Sequence, residues 1–156
     1  MPISRRLYER RSFGNALTTY LQGQGWNVTY SEGWSSDRTI TVPQIAVEFV
    51  DPSGPKALQI GGTSNGEKVF LRRVQVDAYM ENEQRADTII DSIMDFIDLE
   101  AIDIKDQSGN TLGLFICYDT DRIYGDTLPP ATSDPRPIQW RGIVRAEMEA
   151  HYYPSP

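Results

Sequence analysis

The stretch RRVQVDAYMENEQRADTIIDSIMDFIDLE, residues 72–100, changes its hydrophobic period part way along. Val74, Val76 and Ala78 alternate with polar residues, which predicts a half-buried β-strand. From Ala86 onward, apolar residues recur every three or four positions, which is the spacing of one face of an α-helix. The segment therefore predicts a strand that leads almost directly into an amphipathic helix at 82–99.

The polar side of this helix carries a row of carboxylates. Its members, called the acidic stripe below, are Asp87, Asp91, Asp95 and Asp98. At about 100° per residue, the last three lie about 40°, 80° and 20° around the helix from the first, so all four share one side. Like charges at this spacing cost a helix about 0.2–0.5 kcal/mol per pair. Three interpretations remain open: a plain solvated face, a docking surface for arginines, or the lining of a passage for DNA.

The charge of the chain is unevenly distributed. A formal net charge of −7 over 156 residues argues against nucleic-acid binding by the whole surface. Residues 81–106 contain nine acidic and two basic side chains, whereas four arginines and one glutamate lie in residues 1–11. The arginines are Arg5, Arg6, Arg10 and Arg11. We expect so polarised a chain to dock head to tail with copies of itself, with solvation of both clusters as the alternative.

The remaining pattern predicts a single domain, residues 1–156, of the α+β class. A first helix is expected from residue 4 to 22, although Gly14 interrupts its apolar face. Strands are expected at 26–30, 44–50, 56–61, 68–80, 102–106, 112–119 and 138–152. Turns link most of them, so we expect a mainly antiparallel sheet with two helices packed on one face. The Pro-rich segment 125–137 is predicted to be a long loop.

Little in the sequence indicates catalysis. His151 is the only histidine and is expected to be exposed on the last strand, without the motifs of a catalytic triad. Cys117 is the only cysteine, which excludes an internal disulfide and a cysteine-rich zinc site. The carboxylates of DIKD (103–106) and DTD (119–121) leave a small metal-dependent hydrolase as an alternative. No membrane span and no secretory leader are predicted, and no cofactor motif is found.

The order and pattern of these elements resembles the tail terminator (tail completion) proteins of long-tailed bacteriophages. The resemblance covers residues 4–153 and begins with the N-terminal helix. Four further segments carry it: TVPQIAVEF (41–49), RRVQVDAYM (72–80), RADTIIDSIMDFI (85–97) and WRGIVRAEMEAHY (140–152). In the family a proline often leads a strand such as the first of these.

The resemblance implies a structural virion protein of the phage tail or neck, assembled in the host cytoplasm, with no enzyme activity and no cofactor. Six copies would form a ring that caps the tail tube, ends its polymerisation and joins the tail to the head connector or head-closure protein. DNA would pass through the lumen without specific binding, and no membrane is involved. The four arginines and the acidic stripe are the candidate subunit interface.

The candidate partner-contact loop comprises Leu128, Pro129, Pro130 and Arg136. Alternatives to a terminator are another ring-forming part, such as a head-closure protein or a baseplate adaptor, and a monomeric binding module that uses this loop.

Overall fold

The computed structural model describes residues 5–32, 43–49, 57–58, 68–99, 101–116, 123–129 and 140–153. The helices are α1 (Arg5–Gly23) and α2 (Glu83–Leu99). The strands are β1 (Thr29–Glu32), β2 (Gln44–Phe49), β3 (Ala57–Leu58), β4 (Lys68–Met80), β5 (Ile102–Lys105), β6 (Thr111–Ile116), β7 (Ile123–Leu128) and β8 (Trp140–Tyr152). Over these residues the predicted α+β class is confirmed, with a curled, mostly antiparallel sheet.

Strands β4 and β8 form the centre of the sheet. Each has 13 residues, and they pair antiparallel along their whole length, from Lys68↔Tyr152 to Met80↔Trp140. Strands β2 and β3 follow one another along the outer edge of β4, and β6 and β7 follow one another along the outer edge of β8. Parallel β1 extends the sheet beyond β2, and β5 extends it beyond β6. At the end of the sheet where β7 lies, the order of the described strands is therefore β1-β2-β4-β8-β7, and β7 is the outermost strand on its side.

One hydrophobic cluster joins both helices to the sheet. Even-numbered residues of the central strands are buried in it, among them the predicted Val74, Val76 and Ala78. Helix α1 adds Phe13 and α2 adds Phe96, whose rings meet edge to face at 5.7 Å. The backbone of α1 lies closest to β1, β2 and β5, whereas the backbone of α2 lies closest to β4, β7 and β8.

Several sequence-based boundaries need correction. Helix α1 runs straight through Gly14, where the ring of Tyr30 occupies the space that a side chain would need. The first predicted strand begins at Thr29 and not at Trp26, whose N–H bonds back to the α1 carbonyl of Leu21. The Pro-rich loop was wrongly placed at its start, since residues 125–128 belong to β7 and are held by β8. Its later part, residues 130–137, lies outside the described residues.

Candidate assembly surface

Helix α2 is fixed over the β7–β8 end of the sheet. It begins after Asn82, whose Oδ1 accepts a hydrogen bond from the backbone N–H of Arg85 at 2.9 Å. Ile90 packs against two glycines of the sheet. A Cβ on Gly125 would lie 2.5 Å from Ile90 Cγ2, and one on Gly142 would lie 2.9 Å from Ile90 Cγ1. The two missing side chains therefore allow the helix to approach β7 and β8 closely.

The acidic stripe lies on the solvent side of α2. All four aspartates are exposed, as the helical spacing predicts. Asp87 Oδ1 accepts a hydrogen bond from the hydroxyl of Thr127, so the stripe starts directly above β7. Another flank of α2 faces α1, where Phe96 meets Phe13 and the guanidinium of Arg85 lies 4.9 Å from the ring of Trp26. The stripe thus points away from the first helix of the same protomer.

Nothing in the described part of the protomer neutralises the stripe. The cation nearest in sequence, Arg85, pairs with Glu81 at 2.6 Å, and no ion pair joins a lysine or arginine to the four aspartates. The last turn of α2 contains no basic residue, and Asp98 lies there. Negative charge at a helix C-terminus is unfavourable by about 0.3–1 kcal/mol, and the like-charge pairs along the stripe add to that cost.

Of the arginine cluster, the two described side chains, Arg10 and Arg11, are not brought onto the stripe within the protomer. Arg10 is 29% exposed, and its Nη1 lies 3.5 Å from Oε1 of Glu48 on β2. Arg11 is exposed on α1. Arg5 and Arg6 belong to the first turn of α1, but their side chains fall outside the described part of the chain. For Arg10 and Arg11, a contact with the stripe therefore has to be made between protomers.

Half of the candidate partner-contact loop can be placed. Leu128 ends β7 with 36% of its surface exposed, and Pro129 after it is also exposed. On the same face of β7, Tyr124 is 66% exposed. Pro130 and Arg136 lie outside the described residues. The described part of this candidate loop is therefore the end of an edge strand.

A buried ionic cluster was missed by the sequence analysis. Glu9, Arg72 and Tyr152 meet in the core, with Tyr152 Oη 2.5 Å from Glu9 Oε1. The pattern could have predicted this cluster, because Arg72 is an even-numbered residue of β4, like the core residues of that strand. Glu9 likewise lies four residues before Phe13 on the buried face of α1.

A second polar network lies among the odd-numbered residues of β4 and β8. Asp77 is 2% exposed and accepts hydrogen bonds from Gln75 at 3.2 Å and Arg141 at 3.3 Å. Arg145 Nε donates to Gln75 Oε1 at 2.9 Å. Burial raises the pKa of Asp77 above its usual range, although the charge of Arg141 acts in the opposite direction. This burial was not predicted, because alternation along β4 assigns Asp77 to the polar face.

The structure offers little to the catalytic alternatives. His151 is half-buried and not exposed as predicted, because its Nε2 lies 3.0 Å from Glu149 Oε2. Asp106 is a turn residue: its carboxylate accepts from the backbone N–H groups of Ser108 and Asn110, and these bonds lower its pKa. Across the described ranges no three His, Cys, Asp or Glu side chains are grouped to hold a metal ion. Cys117 and the DTD segment lie outside those ranges.

A groove of about 760 Å³ separates α1 from β5 and the turn after it. Tyr8, Arg11, Thr19 and Lys105 are among the residues that line it. Its carboxylates are Asp103, which is exposed, and Asp106, which is engaged in the turn, so the groove presents no pair of groups arranged for acid–base chemistry.

No known family model matches this chain, and no curated protein matches its sequence. Neither helix among the described residues is long and apolar enough to cross a membrane.

Proposed function

We propose that this chain is a structural subunit of a phage tail or neck, of the tail-terminator class. Copies of it form a ring that caps the tail tube, ends tube polymerisation and joins the tail to the head connector. The observation that carries the proposal is the acidic stripe: four exposed aspartates on α2 with no cation beside them in the described protomer. The pattern resemblance to tail terminators supplies the class of assembly.

The protomer has the asymmetry that a ring requires. Rings arise from heterologous contacts, in which one surface of a subunit meets a different surface of the next. The acidic stripe overlies β7, whereas Arg11 belongs to α1, whose backbone lies against β1, β2 and β5. We infer that both helices cover one face of the sheet, since their buried side chains join a single cluster. Repeating such a unit sets the stripe of one copy against α1 of the next.

Electrostatic pairing between copies gives the contact a clear salt dependence. Exposed charges are screened over about 8–10 Å at ordinary ionic strength, and added salt weakens their attraction further. A stripe that lined the lumen would behave differently, because like charges there repel one another and added salt would favour the ring. The sign of the salt effect therefore separates docking from lumen lining.

The first test is the mass of the particle by light scattering at low and high salt, followed by negative-stain imaging. We expect a closed ring of about six copies at low salt and dissociation at high salt. The second test adds the protein to growing tubes of purified tail tube protein, whose length it should limit. Rings that leave tube growth unchanged would contradict termination and favour another neck ring, such as head closure.

The matched variants are Asp91→Lys with Asp95→Lys, and a control with the same type of change at Glu147, an odd-numbered residue of β8, whose core residues are even-numbered. The stripe variant should lose the ring, while the control should keep it. Ring formation that is equal in both variants would remove the stripe from the interface.

A further inference from the structure

Strand β7 leaves one edge of the sheet without a partner strand among the described residues. It pairs with β8 along one side, and over those residues no second strand pairs with its other side. The opposite situation holds at β5. There Ser12 of α1 covers the edge, since its Oγ accepts from the N–H of Lys105 at 2.9 Å and donates to the carbonyl at 3.4 Å. Proteins often cover their edge strands, so a six-residue edge strand without a second partner strand is informative in the described part of the sheet.

The alternation of the ladder fixes which backbone groups of β7 point outward. Tyr153 N–H donates to the carbonyl of Leu112, so odd-numbered residues of β8 direct their backbone groups to the β6 and β7 side. The partner of Asp126 is one of these odd-numbered residues, and the register is unbroken along β7. Asp126 therefore bonds to β8, while Gly125 and Thr127 direct N–H and C=O groups to the open edge.

The open edge is acidic. Asp126 Oδ1 accepts a hydrogen bond from the Thr127 N–H at 2.9 Å, and Asp87 accepts one from the Thr127 hydroxyl. These carboxylates repel a second acidic edge and favour a partner that brings positive charge. Among the described residues, no side chain accepts a hydrogen bond from the Gly125 N–H in this way.

The charge pattern identifies the occupant as a second copy of this chain in a head-to-tail contact. Two β7 strands related by a two-fold axis would oppose two acidic edges. A head-to-tail neighbour instead presents a different surface, and the arginines on α1 supply the complementary charge. Tyr124 and Leu128, 66% and 36% exposed on β7, add apolar area to the same contact.

We propose that the outer edge of β7 is the docking strand of this protein, on which a second copy adds a strand and extends the sheet across the subunit boundary. This rests on the proposed self-assembly and goes beyond it, because it assigns main-chain hydrogen bonds to the contact. Strand addition gives affinity through the backbone, and the acidic side chains restrict the choice of partner.

The test is amide hydrogen exchange at single residues of the full chain, for the low-salt assembly and for the dissociated protomer, with NMR readout after quenching. In the protomer, the Gly125 amide should exchange rapidly while the Tyr124 and Leu128 amides are protected by β8. Assembly should slow hydrogen exchange of the Gly125 amide by at least about tenfold. Unchanged Gly125 exchange in the assembly, or a chain that stays monomeric at every concentration, would overturn the proposal.

Two variants at Thr127 give an independent readout. Thr127→Pro replaces an outward N–H, which bonds to the Asp126 carboxylate in the protomer, with a ring that blocks the edge, and it removes no ladder bond to β8. Thr127→Val keeps that N–H and loses only the hydroxyl. We expect the proline variant to assemble at least about tenfold more weakly than the valine variant, with melting curves showing that both fold. Equal assembly of two folded variants contradicts docking on β7.

The outcomes separate this proposal from the proposed function. Rings that cap tail tubes without protecting Gly125 would leave the function standing and refute the docking strand. Protection of Gly125 in an assembly that leaves tail-tube growth unchanged would support the docking strand and refute the tail-terminator function.

Discussion

Arg72 on β4 donates two hydrogen bonds, of 2.7 and 3.0 Å, to the carboxylate of Glu9 on α1, and both side chains are almost wholly buried. The pair ties the first helix to the end of the central strands, where Tyr152 adds a third bond to the same carboxylate. Replacing a whole buried ion pair with apolar residues is often neutral, but removing one partner leaves an unpaired charge in the core. The position of α1 therefore depends on both residues together.

Glu9→Gln should destabilise the fold by about 3–5 kcal/mol, because the charge of Arg72 loses its counter-ion inside the core. Urea unfolding measures the free energy. The control is Glu147→Gln, which breaks the 2.9 Å pair with Arg73, a side chain that is 51% exposed. That change should cost less than about 1 kcal/mol. Equal costs for the two variants would contradict the role assigned to the buried pair.

Replacing Gly14 with alanine should destabilise the protein, whereas the same change at an ordinary helical glycine is stabilising. Alanine usually stabilises a helix interior by about 1 kcal/mol over glycine. Here a Cβ would lie 2.2 Å from the Tyr30 ring, so Gly14→Ala should destabilise the protein by about 1–3 kcal/mol. Unfolding curves in a Tyr30→Ala background provide the control, since alanine at position 14 should there become stabilising. A stabilising effect in the native background would show that Tyr30 moves aside freely.

Elements with one regular hydrophobic period were predictable from sequence, whereas elements held in place by tertiary contacts were not. The alternation of β4 and β8 and the spacing of α2 predicted their positions, because each buries a single face. Strand β7 escaped prediction because glycine and aspartate disfavour strands, whereas pairing with β8 and packing under Ile90 hold Gly125 in one.

The candidate surface shows the same division. Exposure of the acidic stripe followed from helical geometry alone. The link from Asp87 to Thr127 and the pairing of Arg10 with Glu48 join residues 40 and 38 positions apart, so no local pattern encodes them. The burial of Asp77 likewise depends on Arg141, which lies on a different strand.

Asp77 should make stability fall as pH rises, in contrast to the usual effect of a paired carboxylate. Its pKa is raised by burial, so between the unfolded value and the higher folded one the native state holds more protons than the unfolded state. The penalty for the buried charge is complete above the folded pKa and disappears as pH falls towards about 3.9, the unfolded value.

The measurement compares urea unfolding of the native protein and Asp77→Asn from pH 7 down to pH 4. Relative to the asparagine variant, the native protein should gain stability on acidification. A difference that stays constant over this range, or that changes in the other direction, would show that Arg141 outweighs burial.

Neutralising the acidic stripe should strengthen the protomer and weaken the assembly. Asp91→Ala removes two i,i+4 repulsions, with Asp87 and Asp95, and replaces a poor helix former with a good one. The gain in helix propensity alone should stabilise the isolated protomer by about 0.7 kcal/mol in urea at high salt, where the repulsions are largely screened. The same change removes charge from the proposed interface, so light scattering at low salt should show dissociation at higher protein concentrations.

Glu147→Ala serves as the control, since it removes the same charge from an odd-numbered position of β8 and should leave assembly unchanged. A stripe variant that is both more stable and equally able to assemble would mean that the four aspartates are only a solvated face. Opposite signs for the two quantities are the signature of a surface whose cost to the protomer is offset by a neighbouring copy.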